Sequence, residues 1–141
     1  MRILIADDHP AVRQGISVVL KDVPDIEIVG EAADGEEALA KVAQLHPDLV
    51  ILDITMPHLD GLAAAEIIKQ AHPHTKVLIL SMHGVGSVVR AAKNIGVDGY
   101  VAKHEAGSTL LIALDEIRAG RTYFPDVLSE TAVQRNGYGV P

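Results

Sequence analysis

The chain has 141 residues, enough for one domain with a sizeable core, and its 48% hydrophobic but 3% aromatic content means that Val, Ile, Leu and Ala build that core. A net charge of -7 argues against a grip on nucleic acid by this stretch, which would need clustered Lys and Arg. The absence of cysteine excludes a disulfide scaffold, strand-like residues from Ile3 leave no room for a signal peptide, and no apolar run approaches the ~20 residues of a membrane span, so a cytoplasmic protein with no membrane partner is expected.

Strand-like and helix-like periods alternate five times along the chain. The first strand is read at Arg2–Ala6, followed by a helix with Val12, Ile16, Val19, Leu20 and Val23 on one face. Ile26–Ala32 is the second strand. The helix after it opens on Asp34, with Glu37 three residues on as an Asp version of the capping box, and presents Ala38, Leu39 and Val42. The third strand, Asp48–Leu52, precedes a helix carrying Ala64, Ile67, Ile68 and Ala71 that stops before Pro73. Lys76–Leu80 leads to a short, small-sided helix with Val88, Ala92 and Ile95, ended by Gly96. Gly99–Ala102 is the fifth strand, and the last helix shows Leu110, Leu111, Leu114 and Ile117 before Gly120. The exposed apolar residues of that helix fit either core or one half of a dimer interface.

Alternation of this kind predicts a parallel sheet covered on both faces. Strands one, three and four are unbroken apolar runs and belong inside; strand two alternates Ile26-Glu27-Ile28 and strand five is short, so both belong at the edges. The simplest order is 2-1-3-4-5, a flavodoxin-like, doubly wound α/β fold with five strands and five helices. Its winding reverses between strands one and three, and ligands bind beyond the carboxyl ends of strands at such a point. Asp7 and Asp8 end the first strand there and Asp53 ends the third; Ser81 and Lys103 end the fourth and fifth.

Acids and serines at strand ends often cap the next helix. Five such residues on four strands point instead to one pocket holding a divalent cation beside a phosphoryl group. Three close carboxylates repel one another unless a cation intervenes, and an all-oxygen set favours Mg2+. On this reading Asp7 and Asp8 hold the metal, helped by Asp53 and a backbone carbonyl after it. Asp53, at the sheet centre, is the nucleophile that accepts the phosphoryl group, while Lys103 and Ser81 contact its oxygens.

Ile5-Ala6-Asp7-Asp8-His9, Leu52-Asp53-Ile54-Thr55-Met56-Pro57, Leu80-Ser81-Met82 and Gly99-Tyr100-Val101-Ala102-Lys103 resemble the receiver domain of two-component response regulators, over residues 1–120. The resemblance implies transfer to Asp53 from a phosphohistidine on a sensor histidine kinase. It implies Mg2+ bound by Asp8 and Asp53 directly, by Asp7 mainly through water, and by the Thr55 carbonyl. It also makes Ser81 the switch hydroxyl, Tyr100 a switch aromatic that turns from exposed to buried, and Thr55 and His83 positions that tune phosphoryl loss. Many receivers place proline after the lysine; His104 stands there instead, which is similar to the NarL/FixJ subfamily with a LuxR-type helix-turn-helix output. Residues 121–141 then look like a linker and loose tail toward an output domain that is absent here. DNA would be bound only through that domain, and phosphorylation would favour a homodimer. The alternative is an aspartyl-phosphate phosphohydrolase, disfavoured because Thr55 stands where such enzymes carry a second acid.

His9, His58, His83 and His104 follow strands at the acidic edge. They read as polar loop positions, or, more sharply, as donors that admit a transition metal. His72-Pro73-His74 reads as a helix end and turn, Gly84-Val85-Gly86 as a loop lacking the rest of a dinucleotide fingerprint, and Gly61 as easing the turn into the third helix.

Overall fold

A computed structural model describes residues 1–82 and 86–125. His83 and the expected tail beyond Pro125 lie outside the described residues, as does most of the Gly84–Gly86 loop. The strands are β1 (Arg2–Ala6), β2 (Glu27–Ala32), β3 (Leu49–Asp53), β4 (Lys76–Ser81) and β5 (Gly99–Ala102). The helices are α1 (Pro10–Leu20), α2 (Gly35–Leu45), α3 (Gly61–Ala71), α4 (Gly86–Ile95) and α5 (Ala106–Arg118). All strands are parallel, in the order β2-β1-β3-β4-β5 expected from their apolar content. Among the described residues no helix is long and apolar enough to cross a membrane.

The period of two explains both layers. Leu4, Ala6, Val50, Leu52, Val77 and Ile79 face one side, where α2, α3 and α4 contribute Val42, Ala64, Ile68, Val89 and Ala92. Ile3, Ile5, Leu49, Ile51, Leu78 and Leu80 face the other, against Ile16 and Leu20 of α1 and Leu110, Leu114 and Ile117 of α5. Some helix faces are rotated from expectation. Ile67 is 43% exposed and Ala71 is also exposed, with Ala65 buried instead. On α5, Leu111, expected on the apolar face, is 36% exposed, and Ile112 is exposed beside it.

Two strands end one residue later than read. Asp53 and Ser81 are themselves the last residues of β3 and β4, because their backbones still pair across the sheet: Asp53 with Leu80, Ser81 with Ala102. At the other end of the sheet β2 and β3 start one residue later than read, at Glu27 and Leu49. The capping box forms in altered shape. Asp34 Oδ1 accepts from the Glu37 N–H at 2.8 Å, and Glu37 Oε1 reaches past the cap to the Ala33 N–H at 2.6 Å. That bond holds the Glu37 carboxyl below its ordinary value against the burial penalty, with Lys41 adding to it. Gly96 (φ 95°) and Gly120 (φ 85°) end α4 and α5 in the left-handed conformation that glycine adopts freely.

Beyond α5 the chain returns to the sheet. The Tyr100 N–H donates to the Tyr123 carbonyl at 2.8 Å, and the Tyr123 N–H to the Asp98 carbonyl at 3.0 Å. Tyr123, read from sequence as linker, thus extends the outer edge of β5, and Phe124 packs on the core beside it.

Gly61, expected to ease the turn into the third helix, also permits a close approach of backbone to backbone. It begins α3, and a Cβ there would stand 2.1 Å from the Asp53 carbonyl oxygen and 2.7 Å from Ile54 Cα. The missing side chain lets the helix press against the end of β3, closed by a 2.7 Å bond from the Gly61 N–H to the Ile54 carbonyl. Replacing Gly61 by Ala should lower stability by about 2–3 kcal/mol, read as a shift in the urea midpoint, since backbone has to move to admit the methyl group.

Candidate functional site

The carboxyl ends of β1 and β3 bring the three acids together. One ligand atom from each of Asp7, Asp8, His9 and Asp53 lies within 4.8 Å of the others. Asp7 is fully buried, Asp53 is 1% exposed, and Asp8 sits at the mouth. Lys103, just after β5, spans the pocket: its Nζ is 2.9 Å from Asp7 Oδ2 and 3.1 Å from Asp53 Oδ2. Ser81 is buried at the adjacent strand end. Thr55 is exposed on the loop after β3, and its N–H donates to Asp53 Oδ1 at 3.2 Å. Seven of the eight residues singled out by sequence are therefore described, and six of those seven share one rim.

Tyr100 departs from expectation. Its ring is 1% exposed and belongs to the core cluster formed with α4, so it is already buried. The reason is the covering of β5 by α4 on one face and by Tyr123 and Phe124 along its edge. Of the described histidines at this edge only His9 joins the acids. His58 makes a left-handed turn (φ 69°), and His104 faces outward toward Glu105 at 3.9 Å.

Sequence reasoning missed Arg13. From the first turns of α1 its Nη1 donates to the Asp7 carbonyl at 2.5 Å and its Nε to Glu31 Oε1 at 2.7 Å. It fixes the chain where the acids begin. The available signal was an isolated basic residue one helical turn after the acidic pair.

The electrostatics follow from one cation among three acids. Burial, reinforced by the Asp7 charge, pushes the Asp53 carboxyl above the ordinary carboxylate range although Lys103 opposes it. Burial by itself would lower the Lys103 ammonium, but the hydrogen bonds and charges of Asp7 and Asp53 outweigh that and leave it raised. Asp7 Oδ2 and Asp53 Oδ2, both buried, share the single Lys103 ammonium, and Asp8 Oδ1 has only the His9 ring at 3.0 Å beside it. Buried oxygens left in that state fit a hard divalent cation. A cleft of about 430 Å3 lined by His9, Val12, Asp53, Thr55, Met82 and Lys103 leads to them.

The sequence profile described as the response regulator receiver domain matches residues 3–115. The oxygen regulatory protein NreC of Staphylococcus haemolyticus is 39% identical over 134 residues, covering 94% of this chain and 62% of NreC. This chain thus spans about 62% of the length of that curated relative. A crystal structure of a LuxR-family two-component response regulator from Aurantimonas sp. SI85-9A1 superposes with a TM-score of 0.87 at 36% identity, over 95% of this chain and 96% of that one. The isolated REC domain of RcsB from Salmonella enterica serovar Typhimurium, solved with the phosphomimetic BeF3-, gives 0.84 at 29% identity, over 92% and 96%.

A raised Asp53 carboxyl binds its proton more tightly folded than unfolded, so it opposes folding once the pH exceeds its unfolded value. Asp53→Asn should therefore be more stable than the natural chain at pH 7, on the order of 1 kcal/mol. The difference should shrink as acid protonates Asp53 in both states. Thermal unfolding between pH 3 and 7 checks the sign.

Proposed function

We propose that this chain, which belongs to the response regulator receiver domain family, works as a phosphorylation switch with Asp53 as the acceptor. The observation that carries the reading is the shared rim: Asp53 lies within a few ångströms of Asp7 and Asp8 and 3.1 Å from Lys103, at the mouth of a cleft. An Asp53 carboxylate oxygen attacks the phosphorus of a phosphohistidine on a sensor histidine kinase. The new O–P bond forms as the P–N bond breaks, and the electron pair leaves with the imidazole. Lys103 can turn from its carboxylate partners to a phosphoryl oxygen, because a loaded Asp53 no longer presents the same charge to it. Ser81 offers a hydroxyl to another oxygen.

Asp7, Asp8 and Asp53, with the Thr55 carbonyl, would hold Mg2+, and its charge would offset that of the incoming phosphoryl group. Asp7 and Asp8 orient toward the site without reacting, and Arg13 holds the backbone that presents them. Thr55 flanks the acceptor and tunes access of water to it; His83 is assigned the same role by its place in the sequence.

The output follows from a phosphoryl group of roughly -1.5 to -2 charge standing in place of the single carboxylate charge, with three acceptor oxygens at the ends of β3, β4 and β5. Ser81 pairs with Ala102, one residue from Lys103, so movement at Ser81 reaches β5, and Tyr100 lies two residues before Ala102. With Tyr100 already buried, the change is a repacking of the α4–β5–α5 surface more than a burial of an exposed ring. The downstream effect is control of transcription through a DNA-binding domain outside this chain, with homodimer formation on phosphorylation. The site acts as a switch with self-catalysed loading and loss, not a turnover enzyme; the relatives named above give the phosphohydrolase alternative no support.

Acetyl phosphate with Mg2+ should label the natural chain once per molecule, while Asp53→Asn should take no label and chelation of the metal should reduce labelling at least roughly a hundredfold. Phos-tag electrophoresis or intact mass measures it. Labelling of Asp53→Asn at the natural rate would exclude the assignment, and many phosphate releases per protein in steady state would restore the enzyme reading.

A further inference from the structure

At the amino ends of β3 and β4, away from the acids, two loops carry three histidines that the acceptor chemistry leaves unused. His46 ends α2 and His72 ends α3, each as the helix C-cap, and His74 follows across Pro73. The His46 and His72 rings meet edge to face, with centres 6.3 Å apart and planes inclined by 65°. Together with His74 and Asp48 they line one open pocket of about 340 Å3. Among the described residues no hydrogen bond or ion pair engages the ring nitrogens of these three histidines.

The backbone beneath the pocket is tied together. Arg2 Nη1 donates to the Leu45 and His46 carbonyls at 2.7 and 2.8 Å, and the Arg2 N–H donates to Asp48 Oδ2 at 2.7 Å. The Thr75 N–H donates to the His72 carbonyl at 2.9 Å and its hydroxyl to the Pro47 carbonyl at 3.4 Å. One residue thus joins the loop of His46 to the loop of His72. His46 sits in the left-handed conformation (φ 48°), which fixes the direction in which its side chain leaves the chain toward α3.

Neutral imidazole nitrogens suit Zn2+, Cu2+ and Ni2+, whereas Mg2+ prefers oxygen. Metal–nitrogen distances of about 2.0–2.1 Å put the ring centres of two imidazoles on one tetrahedral Zn2+ roughly 5 Å apart. The observed 6.3 Å is wider, and the donors are not drawn together as they are at the acidic rim. His46 is exposed and His72 half-buried, so side-chain rotation without backbone movement closes the difference of about 1 Å. Two helix C-termini bring partial negative charge to the pocket; Arg2 offsets part of it at α2, and the Asp48 carboxylate adds to it again.

We propose that His46 and His72, with His74 as a third donor, bind a transition ion of the Zn2+ class and so clasp the ends of α2 and α3 at the end of the sheet opposite Asp53. The inference does not depend on the reading of Asp53 as acceptor. The competing account is that the two rings only pack edge to face, as neighbouring aromatic rings commonly do.

Calorimetric titration of the full chain with Zn2+, in excess Mg2+ to occupy the acidic rim, separates the two. The natural chain should bind one equivalent. His46→Asn, which keeps a side chain that tolerates the left-handed backbone, and His72→Asn should each bind at least roughly tenfold more weakly. His9→Ala should keep the natural affinity. One equivalent of Cu2+ should show spin-echo coupling to imidazole nitrogen in the natural and His9→Ala chains and lose it in the His46→Asn/His72→Asn double variant. Zn2+ should raise the melting temperature of the natural chain by several degrees and leave that of the double variant where it was. Unchanged affinity in both single variants, or an equivalent lost in His9→Ala, overturns the proposal. So does an adventitious ion only, with no saturating equivalent below roughly millimolar Zn2+.

Discussion

One ammonium shared between two buried carboxylates is the constraint on which the rest of this molecule depends. Lys103 touches Asp7 at 2.9 Å and Asp53 at 3.1 Å, with Asp8 close by and, among the described residues, no second side-chain cation of equal reach. Burying charge costs several kcal/mol per ion unless it is matched, and here negative charge is in excess. Such a site is receptive to a divalent cation. Once one is bound, it is receptive to a phosphoryl group, because each addition offsets the charge of the other. The same imbalance that weakens the fold locally prepares it for chemistry, the usual trade between stability and activity.

The fold exists, from the point of view of the site, to hold that imbalance in place. β3 lies between β1 and β4 with both faces covered, so Asp53 cannot retreat toward solvent. Gly61 permits α3 to abut the end of β3, and Arg13 ties the end of β1 to β2 through Glu31. These supports are rigid elements and short bonds, as a site needing sub-ångström placement requires.

The distance from the acids to the chain beyond α5 is equally short in structural terms. Ser81 and Lys103 stand at the ends of neighbouring strands, Tyr100 fills the core below them, and its backbone holds Tyr123. Tyr123 is therefore hydrogen-bonded to the strand that carries Tyr100. A charge change at Asp53 and the chain beyond α5 are joined through one strand, a contiguous physical connection.

Much of this was legible in the residue order. Unbroken apolar runs marked β1, β3 and β4 as interior strands and the alternation of β2 marked an edge, because burial on two faces leaves no room for a polar residue. That ranking gave the strand order, and the order alone put Asp7, Asp8 and Asp53 at one switch point. Caps were readable too, since Asp34 and Gly96 act through local backbone geometry. What stayed hidden depends on contacts between segments far apart in the chain. The burial of Tyr100 comes from α4 and from Tyr123 across the sheet edge; the need for Gly61 comes from its distance to the Asp53 carbonyl; the exposure of Ile67 comes from how α3 rotates against α2 and α4. His9 and Arg13 were distinguishable from ordinary loop and helix residues only once their side chains had directions. Sequence periodicity reports which residues avoid water, a property of single elements. Which polar atom meets which, and at what distance, is settled only when the elements pack.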